Sequence, residues 1–423
     1  MLRAAQILAC LLLPVCLLHT RAGTEFVIAG IDILFLAAQA RQKTWKWLRK
    51  PWIVIALAWW AWEVFCSIPL PALGFGLSGW HDFLEAILLL RLLALAAALQ
   101  IWVLTTPASR RLAWAALALS VLWIGVESWQ QFFTGANLFG DRRWPDGALT
   151  GPFWEPRAGP PFAHLLAAAL LPVAVPLLAR PHRLPKIAGI LLAIVSFATI
   201  VLIGQRMPVV LALLALATSC LFIPRLRLPA GFAVLLGAAL LAATPIISPP
   251  TYHKLVLHFV QQMSRFTLSP YGQLYIRATR MGVTSPWHGY GFNAFKTLCP
   301  LPRFAAGFPA AGLPPTRLAL GACNIHPHNF YFQAFTDAGL PGLILFTALN
   351  LAWLIALARG LWRAPDPLRV GLFAGVLTYA WPLASTDSFA ILPHEGWLMY
   401  MLGLGLAAAQ VTRNATAPEP TNV

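Results

Sequence analysis

Two histidines and an asparagine stand together in His326-Pro327-His328-Asn329, immediately before an apolar run that carries Gly339 and Gly342. Ionisable side chains are costly beside hydrocarbon, so their presence at such a threshold marks a functional site by default. An imidazole titrates near neutrality, which suits a general base taking a proton from a hydroxyl. His328 is the candidate base. Asn329 would orient the ring or an acceptor, and His326 would support it from behind. Gly339 and Gly342 suit close helix approach more than chemistry. A second candidate is Arg206, in Gly204-Gln-Arg206-Met-Pro208, where one apolar run gives way to the next with no acidic partner nearby in sequence.

These groups need a membrane scaffold to position them. Of 423 residues, 59% are hydrophobic and 10% charged; a soluble domain carries roughly 25% charged residues. Spans require about 20 mostly apolar residues. Runs at 5–19, 25–40, 51–69, 83–105, 112–130, 162–179, 187–203, 208–224, 230–248, 331–357, 369–386 and 394–411 meet or approach that length. The expectation is an all-α polytopic membrane protein of about twelve transmembrane helices. The first 20 residues mimic a signal peptide but lack a clean small-x-small cleavage site, so the first helix is read as retained.

The formal net charge is +16. In a soluble protein this would suggest nucleic acid; in a membrane protein the positive-inside rule accounts for part of it. Arg41 to Lys50, Arg110 and Arg111, Arg180 to Lys186, Arg225 and Arg227, and Arg359 to Arg369 fall on alternate connections. That face is expected to be cytoplasmic, and both termini with it. The other face receives two long segments, 131–161 and 249–330, which divide the chain into 1–248, a large loop 249–330, and 331–423. Between Tyr252 and Asn329 there is no Asp or Glu, yet Lys254, Arg265, Arg277, Arg280, Lys296, Arg303 and Arg317 all occur. Positive charge on that face calls for a local cause, and an anionic ligand is the natural one.

Arg277 and Arg280, three apart, share one face of a predicted helix that runs into Pro286-Trp-His-Gly289-Tyr-Gly291. A planar guanidinium grips phosphate oxygens bidentately. The first loop, Gly140 to Gly159, offers Arg142, Arg143 and Arg157 around Thr150-Gly-Pro-Phe153. Cys299 and Cys323 flank a Pro/Gly-rich excursion and, on an oxidising face, would form a disulfide at its base. No Walker motif is present, no His/Cys cluster has zinc spacing, and Asp141, Asp146, Glu155, Asp387 and Glu395 are too dispersed for a carboxylate metal site. Neither ATP nor a metal is expected to drive the chemistry.

The spacing His328-Asn329, nine residues, Gly339, two residues, Gly342 resembles the signature of the O-antigen ligase/polymerase family of bacterial membrane glycosyltransferases. Gly-Gln-Arg206 resembles that family's (Gly/Ser)-x-Arg turn, and 275–291 its Arg-bearing helix followed by Pro-x-x-Gly-x-Gly. Two departures stand out. Position 271, where an arginine is common, is Tyr271, leaving Arg265, Arg277 or Arg280 to take its role. Position 148, two residues before the threonine, is Ala148, leaving Arg142, Arg143 or Arg157 to substitute.

The resemblance implies an inverting glycosyltransferase fold in the bacterial inner membrane, with its active site facing the periplasm and no cofactor. It implies a donor glycan on undecaprenyl pyrophosphate and, for a ligase, a lipid A-core acceptor. His328 would be the base; Arg206 with Arg277 or Arg280 would stabilise the leaving pyrophosphate. Arg280 and Gly291 also fit an Arg-x10-Gly spacing described for O-antigen polymerases, which extend lipid-linked repeats. A transporter of an anionic or lipid-linked substrate is the reading from another class.

Overall fold

The apolar runs fold into helices whose ends are set by local chemistry. A computed structural model describes residues 1–316, 323–324 and 326–415; Arg317 lies outside the described residues. Among the described residues, eight helices are long and apolar enough to cross a membrane. They are α1 (Leu2–His19), α2 (Arg21–Gln42), α4 (Trp80–Val103), α5 (Pro107–Thr134), α6 (Gly159–Ala179), α7 (Arg183–Ile203), α9 (Pro224–Ile247) and α12 (Phe330–Ala358). Shorter apolar helices are α3 (Pro51–Ser67), α8 (Arg206–Phe222) and α13 (Pro367–Ala380). Helices α10 (Pro249–Tyr252), α11 (Pro270–Thr284) and α14 (His394–Ala415) complete the set used below. Among the described residues the regular structure is all-helical, as a polytopic membrane protein requires.

Side-chain caps and first-turn prolines set several starts. Thr20 accepts from the Gly23 N–H at α2, Thr106 from Ser109 at α5, and Asp366 from Arg369 at α13. Proline occupies the first turn of α5 and α13, where its missing N–H costs nothing. Helix α13 ends at Ala380, well short of the 386 expected from hydropathy. The cause is Trp381-Pro382: the residue before proline is forced out of the helical region, and Trp381 is extended. The freed 381–393 segment carries Thr386 and Asp387 to the candidate site.

The span expected at 331–357 is present as α12, with a break inside it. Helix α12 is interrupted at Gly339, where φ is 67° and ψ −163°, a region open essentially to glycine alone. Four backbone groups at the break have partners outside the helix, as burial requires. The carbonyls of Thr336 and Asp337 accept from the Tyr290 and Gly291 N–H groups at 2.9 and 2.8 Å. Ala338 O accepts from Trp62 Nε1 of α3 at 2.9 Å, and the Leu340 N–H donates to Pro286 O at 2.7 Å. The Pro286–Gly291 turn therefore plugs the gap in α12. A Cβ on Gly339 would lie 2.7 Å from Pro286 O.

The segment after α9 folds on its own small core. Leu274, Ala278, Met281, Phe295 and Phe304 bury against Cys299, and Cys299 is joined to Cys323. Residues 131–161 are pinned to α5 by a reciprocal pair: Gln131 Nε2 donates to Thr150 Oγ1 and the Thr150 N–H donates to Gln131 Oε1, both at 2.7 Å.

Gly339→Ala is expected to lose roughly 2–6 kcal/mol, combining glycine-only strain with overpacking. Gly231→Ala, whose added Cβ would meet nothing within 4 Å, serves as the control. Thermal unfolding of the two purified variants in detergent checks this; equal midpoints would remove the interlock from its structural role.

Candidate active site

Helix α12 presents its N-terminal threshold through Asn329. The Asn329 side chain caps the helix, its Oδ1 accepting from the Tyr331 and Phe332 N–H groups at 3.0 and 3.1 Å. Its Nδ2 donates to Pro382 O and Ala384 O at 2.7 and 3.1 Å. Asn329 was expected to touch ring or acceptor. Its amide is instead taken up in fastening α12 to the 381–385 segment, and it positions its neighbour through the backbone.

That neighbour, His328, sits at φ 53°, an uncommon left-handed conformation for a non-glycine residue. Its carbonyl accepts from the Thr386 N–H at 3.1 Å. Asn324 Nδ2 lies 2.6 Å from His328 Nε2, and His326 Nε2 lies 3.1 Å from His328 Nδ1. With the amide donating to Nε2, the ring proton sits on Nδ1 and points at His326. Nε2 then carries the lone pair that a base requires. His326 is 4% exposed, and its Nε2 is 3.7 Å from Asp387 Oδ1.

Burial shifts both imidazoles downward. His326 is pushed down to about 4, first by burial and then by the adjacent His328, with Asp387 opposing. His328 is lowered by burial, opposed by Asp387 and by a hydrogen bond to the Thr386 backbone. A histidine that stays neutral near pH 7 is ready to accept a proton. The carboxylate of Asp387 is placed to favour the positive charge that follows.

The residue facing His328 from α11 is Tyr271, the position where the resemblance leads one to look for arginine. The two rings lie 5.5 Å apart. Tyr271 is 39% exposed and lies within electrostatic reach of the Arg206 guanidinium, as does Asp146. Arg206, the first residue of α8, donates from Nε to Lys254 O at 2.7 Å and from Nη1 to Gln262 Oε1. Lys254 pairs with Asp146 at 2.5 Å, tying the 131–161 segment to the same corner. His328, Tyr271 and Arg206 thus form one continuous edge.

Arg277 and Arg280 are not on that edge. Tyr271 and Arg280 are nine residues apart, which at 100° per residue puts them on opposite faces of α11. Arg277, 1% exposed, donates from Nε to Thr316 Oγ1 at 2.8 Å and from Nη1 to Cys299 O, beside the disulfide. Its expected catalytic place is therefore corrected: it holds the core of the 270–316 unit together. Arg280 stacks over Phe308, 5.3 Å from the ring centroid. Its expected place beside the base is corrected for the same geometric reason.

The remaining expected ligands are scattered. Arg143 donates to Phe132 O at 2.7 Å and lies over the Phe132 ring. Arg157 pairs with Glu155. Arg142 and Arg265 are exposed. Ala148 is fully buried, with its Cα 3.7 Å from where a Cβ on Gly204 would stand. A His81, Asp82 and Glu85 group, which the spacing argument passed over, has metal-ligand geometry. Its carboxylates are taken by Lys296 at 2.5 Å and by Asn293 Nδ2 at 2.7 Å. Asp387 is the site residue that sequence reasoning missed; its signal was the Trp-Pro stop that frees the segment carrying it.

Residues 191–347 match the family model described as O-antigen ligase. Over this stretch the chain is similar to the O-antigen ligase family. No match is found among curated proteins. The matched stretch contains Arg206, Tyr271, His326, His328, Gly339 and Gly342, and leaves out Asp387 and the 131–161 segment. The edge from Arg206 to His328 thus lies wholly inside the stretch that resembles this family.

The lowered histidines set a pH signature. Between about pH 4 and 6.5 the unfolded chain binds protons that folded His326 refuses, so stability falls as pH drops through that window. Thermal midpoints measured from pH 7.5 to 4.5 should decline below 6.5, and His326→Gln should flatten the decline. A slope identical in the variant would contradict the burial argument.

Proposed function

We propose that the chain transfers a glycan from undecaprenyl pyrophosphate to lipid A-core oligosaccharide on the periplasmic face of the bacterial inner membrane. The observation that carries this reading is the edge on which a neutral His328, Tyr271 and Arg206 succeed one another. A base and an anion-binding cation so placed match a displacement that removes a hydroxyl proton at one end and releases pyrophosphate at the other. The acceptor hydroxyl takes the place of the Asn324 amide at His328 Nε2. Its oxygen attacks the anomeric carbon, the bond from that carbon to the pyrophosphate oxygen breaks, and the proton passes to Nε2. Arg206 faces the charge that develops on the leaving group, where preorganised donors contribute most. The donor is already activated, so cationic side chains suffice without nucleotide or metal.

Tyr271 offers an aromatic surface and a hydroxyl between the two reacting ends, and it takes the positioning role first expected of an arginine. The proposed topology has twelve spans, with 131–161 and 249–330 outside and both termini inside, on the strength of the basic connections. The ligase is favoured over the polymerase because the Arg280 and Gly291 of the polymerase-type spacing have structural partners: Phe308 for one, Gly76 and Ser67 for the other.

The test is the lipopolysaccharide banding of cells carrying single variants at matched expression. His328→Ala should abolish long-chain material while lipid-linked polymer accumulates. Arg206→Ala should slow transfer about 10²–10³-fold, the range for losing one charge-stabilising donor. Arg277→Lys should leave turnover intact in whatever fraction folds. A single repeat left on the core would move the assignment to a polymerase. Unchanged banding in His328→Ala would sink glycan transfer by this base.

A further inference from the structure

Arg206 begins α8 directly after α7 ends at Ile203, so its guanidinium stands where two apolar helices meet at the edge of the hydrocarbon. A cation so placed attracts the anionic head groups of the surrounding leaflet. The protein supplies acceptors of its own instead: Nε donates to Lys254 O at 2.7 Å, and Nη1 donates to Gln262 Oε1. Asp146, within electrostatic reach, is itself held by Lys254 at 2.5 Å.

The two acceptors differ in how firmly they are held. Lys254 belongs to a π-helical turn, His253–Leu257. That turn is fastened by the Lys254–Asp146 pair and by Leu255, which packs against the main core. Gln262 belongs to the short helix His258–Ser264. Of residues 258–268 none is buried, and only Gln262 and Thr267 are half-buried. Among the described residues, the bond from Arg206 is the only side-chain hydrogen bond joining this short helix to the bundle. Phe259, Val260 and Met263, 42%, 62% and 45% exposed, share one helical face, roughly a quarter-turn from Gln262. The segment is a flap: its apolar face suits lipid, and one amide rests on Arg206.

An acceptor tethered in the same chain competes at high effective concentration. It is also neutral, and a charged phosphate oxygen makes the stronger bond to a guanidinium. A phospholipid phosphodiester carries a single negative charge, whereas a lipid-linked pyrophosphate carries two. We propose that Gln262 is the placeholder of the pyrophosphate seat. Its amide keeps phospholipid phosphates off Arg206 and gives way to a lipid-linked pyrophosphate, which frees the flap 258–268. Lys254 O keeps the guanidinium oriented throughout. This inference rests on the reading of Arg206 as the partner of the pyrophosphate.

Binding of undecaprenyl pyrophosphate to the full chain, read by native mass spectrometry from nanodiscs, tests this in phosphatidylcholine alone and mixed with phosphatidylglycerol. In phosphatidylcholine, Gln262→Ala should bind about fivefold tighter than wild type, because one competing hydrogen bond is gone. Phosphatidylglycerol should cancel that gain and leave wild type nearly unchanged. Gln261→Ala should behave as wild type. Tryptic cleavage after the exposed Arg265 should quicken when undecaprenyl pyrophosphate binds wild type, and should be quick in Gln262→Ala without it. Undecaprenol, which lacks the head group, should not quicken it. Three results overturn the placeholder while leaving the donor reading standing: a Gln262→Ala variant that binds no tighter, an equal effect of phosphatidylglycerol on both proteins, or cleavage indifferent to the bound pyrophosphate. Wild type that fails to bind undecaprenyl pyrophosphate, or an Arg206→Ala variant that binds it equally well, overturns both.

Discussion

The structure turns on the fit between the break in α12 and the turn that fills it. A helix interrupted inside a bundle exposes carbonyls and an N–H that cost several kcal/mol in hydrocarbon if left unpaired. Here Pro286 O, the Tyr290 and Gly291 N–H groups and the Trp62 indole satisfy them. The fit is two-sided. Gly289, at φ 62°, passes so close to Asp337 that a Cβ would lie 2.5 Å from its carbonyl. Gly339 is equally constrained from the other side. The glycines of both motifs are therefore one contact seen from two strands of sequence. That contact fixes α11 along the first segment of α12, with Tyr275 and Phe332 rings 4.7 Å apart. Tyr271 faces His328 because of it.

Electrostatics then divides the cations into two populations. Lys254 and Lys296 have carboxylate partners supplied by distant segments, Asp146 and Asp82. Arg277 has neutral oxygens. Arg206 is held by a backbone carbonyl and an amide, which orient a guanidinium without neutralising it. An arginine held this way remains free in charge though fixed in place, and that is the condition for it to serve an anion arriving from outside. Arg91 shows the contrast: stranded in an apolar helix, it forms a bidentate pair with Glu25 at 2.7 and 2.8 Å, which completes a structural ion pair and leaves nothing to recruit.

Much of this was legible before any coordinates. The His-Asn-Gly-Gly spacing, the apolar runs and the basic connections follow from residue types with strong local physics. Arg206 was legible because a short turn between apolar runs gives an arginine few places to go. What was not legible depended on azimuth around a helix. Arg277 and Arg280 were read correctly as sharing a face, but nothing local says that this face turns toward Cys299 and Phe308. Tyr271 looked like a departure because its residue type differs, though its position is the one that meets His328. Asn329 looked like a ligand because amides bind sugars, whereas capping claims both ends of its side chain. Asp387 was hidden by hydropathy, which carried a span past the proline that ends it.

The fixed interval between the base and the paired glycines acquires a physical meaning from this arrangement. Residues 330–338 form the helical segment between the Asn329 cap and the Gly339 break. Its nine residues set a rise of roughly 13–14 Å at 1.5 Å each. Both ends are anchored, one by Asn329 to Pro382 and Ala384, the other by the Pro286–Gly291 turn. One residue more or fewer would rotate the threshold by about 100°, carrying His328 away from Tyr271, His326 and Asp387 together. The interval is thus a rigid spacer that sets both the height of His328 above the break and the direction in which its imidazole points. Its buried side chains add to that constraint: Gln333 donates to Ser388 Oγ at 3.0 Å and accepts from the Phe389 N–H at 3.1 Å, so the same segment also holds the 381–393 stretch in place.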